Sequence, residues 1–488
     1  MKKNKKRFFT WIKDPLRVVL LVIFIGGVFF RFANTPDKFG FDKDPTRDAL
    51  IAIHISDNFA FPLVGPHSGI GSFSFGPWYY YDLGLFRILT AKLVPPFYFI
   101  PLYSIFFILG MYFLGKELKD EKLGVILAGL AAFTPAQTGP ITGLSNPNLI
   151  PVHAVLSVLY FVFLLKNKLT AKKSLLWGLV MGVGINHHYQ MLPLMILPLI
   201  GFFVKREKKV IFLFFLTFFI SFIPFIIFNI LTNWSSFFGL IKYLGEGGVY
   251  IPNSWVIYLR DFWPLYLENV VGLNSKISLL LYLIVILFHF VLLIKKRLSR
   301  EYLLLLLVGF ILFVHLRYFK GTREYYYMFY FLPFILLYLG MFLRSLLDFK
   351  KGFSVFIFIC VILFANSIPV NISKLSSRID QKESYENAKL LSNYSFGKKI
   401  SLYSCKEHSI NIAEGTVYFL YTMKKLGDQT RVIYTGKMNE CQIPKKSKSV
   451  TENFYDVSSF NDREIKELGW RSISPEAIYH ETTEWWKY

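Results

Sequence analysis

Apolar blocks of about 18 to 22 residues, almost free of charge, alternate along this chain with short polar turns, and that block length matches what a helix needs to cross a hydrocarbon core. The first span is read over Val18–Phe32, behind the basic leader "MKKNKKRFFTWIKDPLR". A mixed stretch of roughly 60 residues follows, a loop carrying surface-lying helices. The second span runs through "YFIPLYSIFFILGMYFLG", a third leads to "TGPITGLSNPN", and a fourth returns to "KNKLTAKK". "LLWGLVMGVGINHHYQ" and "MLPLMILPLIGFFV" form a short pair, and Val210–Leu231 follows. The remaining spans are Ile277–Ile294, Tyr302–Leu316, Met328–Leu343 and Gly352–Ala365. This layout gives about eleven spans, with Lys and Arg gathered in every second turn. The expected fold is therefore an all-α polytopic membrane protein.

The positive turns orient it: the N-terminus is cytoplasmic, and an odd span count leaves the C-terminus outside the cell membrane. From about residue 371 the composition shifts to Ser, Lys, Glu, Asn and Asp. "KISLYSC" and "RVIYTG" read as strands, with a helix-spaced segment, "NIAEGTVYFLYTMKKLG", between them. Two domains are expected: residues 1–370 in the membrane, with a first outer loop over about 34–95, and a small extracytoplasmic α/β domain over 371–488. Nothing in the first block resembles a cleaved leader.

Composition sharpens this picture. The 488 residues are 54% hydrophobic and include 52 Phe and 29 Tyr, above the ~45–50% apolar share usual in soluble domains. The net charge of +23 would suit nucleic acid, but its confinement to turns excludes that partner. The three cysteines lack metal-ligand spacing: Cys360 falls in an apolar block, while pairing of Cys405 with Cys441 in the polar tail is left open.

Chemistry is sought in polar groups near the membrane plane. In "FGFDKDPTRDALIAIHI", Asp44-Pro45 makes a good helix start, since Asp caps free N–H groups and Pro at the first helical position has none to lose. That helix would bring Asp44, Arg47 and Asp48 together at its first turn and present Ile51 and Ile55 on a face able to lie on the bilayer. A capped surface helix accounts for Asp44 as well as a catalytic carboxylate does. "GIGSFSFGPWYYYDLG" predicts a tight turn carrying Tyr79 and Tyr80 as an interfacial aromatic platform or an ordinary aromatic belt. Asn146 and Asn148 in "GLSNPNLIP" offer amides to sugar hydroxyls or simply start a helix. His187 and His188 in "NHHYQ" suit a phosphate or an interface, and adjacent histidines make a poor metal pair. Arg317, Lys320 and Arg323 flank tyrosines in "RYFKGTREYYY", a pattern that fits phosphate at the surface or a plain charged turn. In this layout all these turns share one side of the membrane.

A first loop opening on a carboxylate motif, followed by surface helices and an aromatic Pro turn, resembles the GT-C glycosyltransferases, notably the protein O-mannosyltransferases and the lipid A aminoarabinose transferases. Their Asp-Glu-x-x-Tyr-Ala or Asp-Glu-x-Arg-Tyr-Ala signature is matched here by "DPTRDALIA", and their Phe-Glu-Lys-Pro-Pro-Leu-x-Tyr-Trp turn by "FSFGPWYYY". "LSNPN" stands where many members carry a Pro-Asp turn. The resemblance covers about residues 1–370 and places the catalytic Asp on Asp44, with Arg47 and Asp48 in support. It departs at Pro45, where the family has Glu, and at Ser74, in place of a Glu that helps hold metal in some members; no metal site is assigned, and a divalent cation stays an open alternative. The resemblance implies a polyprenyl-phosphate-linked sugar donor, inverting attack by an acceptor hydroxyl with Asp44 as general base, and phosphate binding by Arg317, Lys320 and Arg323, then His187 or His188. Tyr79, Tyr80, Asn146 and Asn148 are the sugar or acceptor candidates. The acceptor is a lipid, glycan or protein. A lipid-linked sugar flippase and an O-antigen-type polymerase or ligase are the alternatives.

Overall fold

The computed structural model describes residues 14–33, 35, 39–41, 43–69, 71–139, 143–246, 254–318, 325–373, 379–396, 398–404, 410–435, 446–450 and 454–473. Lys320, Arg323, Cys405 and Cys441 lie outside these residues.

Every apolar block expected to span coincides with helix. The first is α1 (Pro15–Phe32), started by Asp14, whose carboxylate accepts from the Leu16 N–H, with Pro15 at the first helical position. Two helices occupy the first loop, α2 (Lys43–Asn58) and α3 (Trp78–Leu89). Then come α4 (Phe99–Leu118), α5 (Glu121–Phe133), α6 (Ile150–Leu165), α7 (Ala171–His187) and α8 (Ile196–Lys205). The bundle continues with α9 (Lys208–Ile220), α10 (Ile223–Leu231), α11 (Ser235–Glu246), α12 (Trp263–Val271), α13 (Ser275–Ile294), α14 (Arg300–Tyr318), α15 (Leu332–Leu346) and α16 (Gly352–Ser373). Six of the helical segments among the described residues are long and apolar enough to cross a membrane alone, and α9 with α10, bent by 48°, would make a seventh. The other four expected spans fall on α5, α7, α8 and α15, which are shorter.

The expectation of nearly charge-free span interiors needs one correction. Arg31, in the last turn of α1, is fully buried. Its guanidinium donates to Ser104 Oγ at 2.8 Å and to the carbonyls of Gly27, Ala131 and Ala132 at 3.1, 3.2 and 3.0 Å. It thus satisfies carbonyls at the C-terminal end of α5, which have no partner within their own helix, and locks α1 to α4 and α5.

Beyond α16 the chain forms α17 (Ile379–Tyr394), β1 (Ile400–Ser404), α18 (Ile410–Thr422), β2 (Thr430–Tyr434), β3 (Lys448–Ser449), β4 (Phe454–Asp456), α19 (Asp462–Glu467) and β5 (Arg471–Ile473). The sheet order is β3-β4-β2-β1-β5. β1 and β2 are parallel, with Leu402 opposite Val432, and α18 is their crossover; the other pairs are antiparallel. Both strands and the helix expected from the sequence are present.

The face of α2 expected to lie on lipid is covered by protein instead. Ile51 and Ile55 are buried. Ile55 packs so closely on α3 that a side chain at Gly84 would overlap its Cβ. On the other side Phe41, just before α2, meets Tyr418 and Phe419 of α18 at ring distances of 5.1 and 5.5 Å. One apolar core therefore runs from the first loop into the α/β domain, and α2 is clamped between α3 and α18.

Candidate active site

Helix α2 begins at Lys43, so Asp44 and Pro45 stand in its first turn rather than Asp44 at the cap. Helical spacing then brings Asp44, Arg47 and Asp48 onto one side. Arg47 binds both carboxylates: Nη1 to Asp44 Oδ1 at 2.7 Å, and Nε and Nη2 to Asp48 Oδ1 at 2.8 and 2.7 Å. Tyr80 of α3 donates its hydroxyl to the same Asp48 oxygen at 3.2 Å. The environments differ sharply: the Asp44 side chain is 70% exposed, whereas those of Arg47 and Asp48 are 4% and 2% exposed.

Burial pushes the Asp48 carboxyl up to about 6, against the opposing pull of Arg47. Burial would lower Arg47, but Asp48, Tyr80 and Asp44 outweigh it and hold the guanidinium charged. One fixed cation therefore serves two carboxylates, one buried and one facing solvent.

This cluster lines a cavity of about 380 Å³ with Asn146, His188, Gln190, His67, His315 and Tyr326 among its walls. His67 arrives on a narrow turn in which Gly65 and Phe75 pair through N–H···O at 2.9 Å and Ser68 donates to the Phe73 carbonyl at 2.8 Å. Gly76 makes this turn possible, since a Cβ there would sit 1.7 Å from Asn186 Oδ1. The turn is fixed to the bundle by Tyr189, whose hydroxyl donates to the Ser74 carbonyl at 2.8 Å, and by Ser236, whose Oγ accepts from Ser74 N at 2.8 Å. Burial, then the nearby Arg47, lowers the His67 pKa, which keeps the ring neutral near pH 7.

The expected site residues divide into two groups. Asp44, Arg47, Asp48, Asn146 and His188 line one cavity. Asn146 is also braced, its amide donating to the His187 carbonyl at 2.6 Å, and His188 stacks on Phe75 with centroids 4.6 Å apart. Tyr79 and Tyr80 are buried rather than presented as a platform: they stand behind the cluster, Tyr80 as the donor to Asp48. Asn148 is buried and donates to the Gly143 carbonyl at 3.2 Å. His187 is buried beneath the cavity, Nε2 3.0 Å from Asp82 and its ring 4.8 Å from that of His153. Arg317 does not line the cavity; it is buried at the end of α14, 5.4 Å from the Trp255 ring and 5.3 Å from that of Tyr318. The stretch bearing Lys320 and Arg323 joins Leu316 to Tyr326, and both of those line the cavity. Sequence reasoning missed His67 and His315, and it did not single out Gln190 and Tyr326 within the "NHHYQ" and "RYFKGTREYYY" stretches it had noted.

A divalent metal, which the family resemblance raises, finds no fitting donor set. Ser74 Oγ lies 3.1 Å from His67 Nδ1, both carboxylates face Arg47, and no group of three His, Cys, Asp or Glu among the described residues could hold an ion.

No protein-family model and no curated protein matches the chain. Solved structures do. ArnT from Cupriavidus metallidurans bound to undecaprenyl phosphate matches with a TM-score of 0.59 and 9% identity, covering 92% of this chain and 98% of that one. The archaeal oligosaccharyltransferase AglB from Archaeoglobus fulgidus, in complex with an inhibitory peptide and a dolichol-phosphate, matches with a TM-score of 0.53 and 13% identity over 78% of this chain. The chain spans 58% of that oligosaccharyltransferase's length. The likeness establishes the fold: the chain shares the architecture of these two solved structures.

Proposed function

We propose that the protein is a membrane glycosyltransferase that moves a sugar from a polyprenyl-phosphate donor to an acceptor hydroxyl at the extracytoplasmic face, with Asp44 as general base. The observation that carries this reading is the solvent-facing Asp44 held at a cavity rim by a guanidinium that is itself fixed by buried Asp48. A neutral hydroxyl attacking an anomeric carbon must lose its proton, and an exposed carboxylate on a fixed helix start can take it. The new C–O bond forms as the bond to the donor phosphate breaks, and that bonding pair leaves on the phosphate, so no general acid is needed. Attack opposite the leaving group inverts the anomeric centre. The departing phosphate needs cations or donors nearby: His188 lines the cavity, and Arg317, Lys320 and Arg323 remain the candidate cations from the sequence. Asn146, which lines the same cavity, is the candidate to bond the sugar. The fold is that of proteins whose structures hold undecaprenyl phosphate or dolichol-phosphate, which supports a donor of that class.

The test is Asp44→Asn in nanodiscs supplied with a panel of undecaprenyl-phosphate sugars, reading release of free undecaprenyl phosphate. Loss of a general base should cost about 10²–10⁴-fold in rate. Melting should change by no more than about 1 kcal/mol, because the Asp44 side chain is 70% exposed and Arg47 keeps its partner Asp48. Undiminished release would return Asp44 to a plain first-turn residue.

A further inference from the structure

A second, larger cleft of about 1530 Å³ opens at the far end of α2, between the first-loop helices and the α/β domain. Five cations line it, Arg87, Lys92, Lys382, Lys399 and Lys424, against two carboxylates, Asp57 and Asp428, a surplus of three positive charges. Both carboxylates have nearby partners: Asp57 pairs with Lys92 at 3.1 Å, and Asp428 accepts from the Ser401 hydroxyl at 2.6 Å. Lys382, Lys399 and Lys424 are exposed and have no ion-pair partner among the described residues. They come from three separate elements, α17, the start of β1 and the turn after α18, so the fold rather than a run of sequence brings them together.

The apolar surroundings say what this charge faces. Leu89, the last residue of α3, and Leu93, in the turn between α3 and the span α4, are each 84% exposed. Leu93 lines the cleft beside Lys92. Side chains so exposed next to a membrane entry point are stable when dipped into acyl chains. A basic pocket whose mouth is apolar and membrane-proximal has the chemistry of a lipid headgroup site.

We infer that this cleft binds the phosphate-bearing headgroup of an anionic lipid other than the sugar donor. Asp57 is 13 residues beyond Asp44 on one straight helix, about 20 Å away at 1.5 Å per residue, too far for a donor phosphate whose sugar reaches Asp44. That distinction from the donor rests on the proposed function; the headgroup site itself does not.

The experiment uses the full chain in phosphatidylcholine nanodiscs with and without phosphatidylglycerol, counting retained phosphatidylglycerol by native mass spectrometry. Wild type should retain it preferentially. Each lysine removed in Lys382→Gln, Lys399→Gln and Lys424→Gln should weaken retention about fivefold, with unchanged melting. The pair Lys295→Gln and Lys296→Gln, in the turn between α13 and α14, should have no effect. Equal retention by the triple variant overturns the inference, and competition by inorganic phosphate as effective as by the lipid overturns the lipid source. Asp44→Asn should bind lipid normally. If it also transfers sugar normally while the triple variant loses lipid, the proposed function fails and the headgroup site stands.

Discussion

The clearest quantitative consequence of the site concerns Asp48. Its carboxyl titrates at about 6 instead of 3.8, roughly two units, or about 3 kcal/mol. The cause is burial, so the proton is held more tightly in the folded chain than in the unfolded one. Stability contributed by this group is therefore fully present below about pH 4 and is lost as pH rises through about 6. Activity should run the other way, because only ionised Asp48 anchors Arg47, and Arg47 positions Asp44. On lowering the pH from about 7.5 to about 5, transfer should fall about tenfold while this group adds about 1.4 kcal/mol to stability. The assay is donor turnover and thermal melting across that range, each taken as the difference between wild type and Asp48→Asn, which cancels the other carboxylates. Asn keeps the shape and one acceptor for Arg47 and Tyr80 but cannot titrate, so its acid limb near pH 6 should vanish. The reasoning is refuted if Asp48→Asn shows the same limb, or if the melting difference is flat over the range.

Two further substitutions probe the scaffold. Gly76→Ala should destabilise the protein by about 1–3 kcal/mol through overpacking against Asn186, and should lower turnover with it because the His67 turn shifts; melting and turnover of the purified variant check this. Phe41→Ala should cost about 3–5 kcal/mol locally by emptying the contact with Tyr418 and Phe419. Limited proteolysis should then release the α/β domain faster than from wild type, while the bundle stays intact.

Much of the fold was legible because lipid imposes simple rules. A span must be long and apolar, and every expected block is helical here. The β1–α18–β2 unit was equally readable from alternating and helix-spaced apolar positions. Burial of Ile51 and Ile55 was not, since an apolar face reads the same whether lipid or another helix covers it; α3 packs on Ile55, and α18, over 350 residues away in the chain, holds the other side at Phe41. In the site, Asp44, Arg47 and Asp48 stood out because they share one helix turn. His67 and His315 had no such signal, each being a lone polar residue, while Gln190 and Tyr326 lie inside "NHHYQ" and "RYFKGTREYYY" with nothing to single them out from their neighbours; only tertiary folding brings the four to one cavity. Tyr79 and Tyr80 were misplaced for a related reason, as consecutive tyrosines give no hint that a buried carboxylate waits behind them.

The unequal treatment of two like carboxylates one turn apart also explains why a charge is buried here at all. A buried Asp48 costs stability, and a lone Arg47–Asp44 pair at the surface would be worth little and would wander. Spending two of the guanidinium's three contacts on Asp48 fixes the plane of the fork, which leaves Nη1 as the contact for Asp44. With one cation for two carboxylates the cluster keeps a net negative charge. That charge resides on Asp44, the member the cavity can reach. In the proposed reaction, a hydroxyl arriving at the rim would meet an acceptor already oriented and not fully neutralised, which is what proton removal requires. Under the proposed function the helix start and the base are one device: Pro45 and the first turn of α2 aim the carboxylate, and the buried pair beneath keeps it aimed.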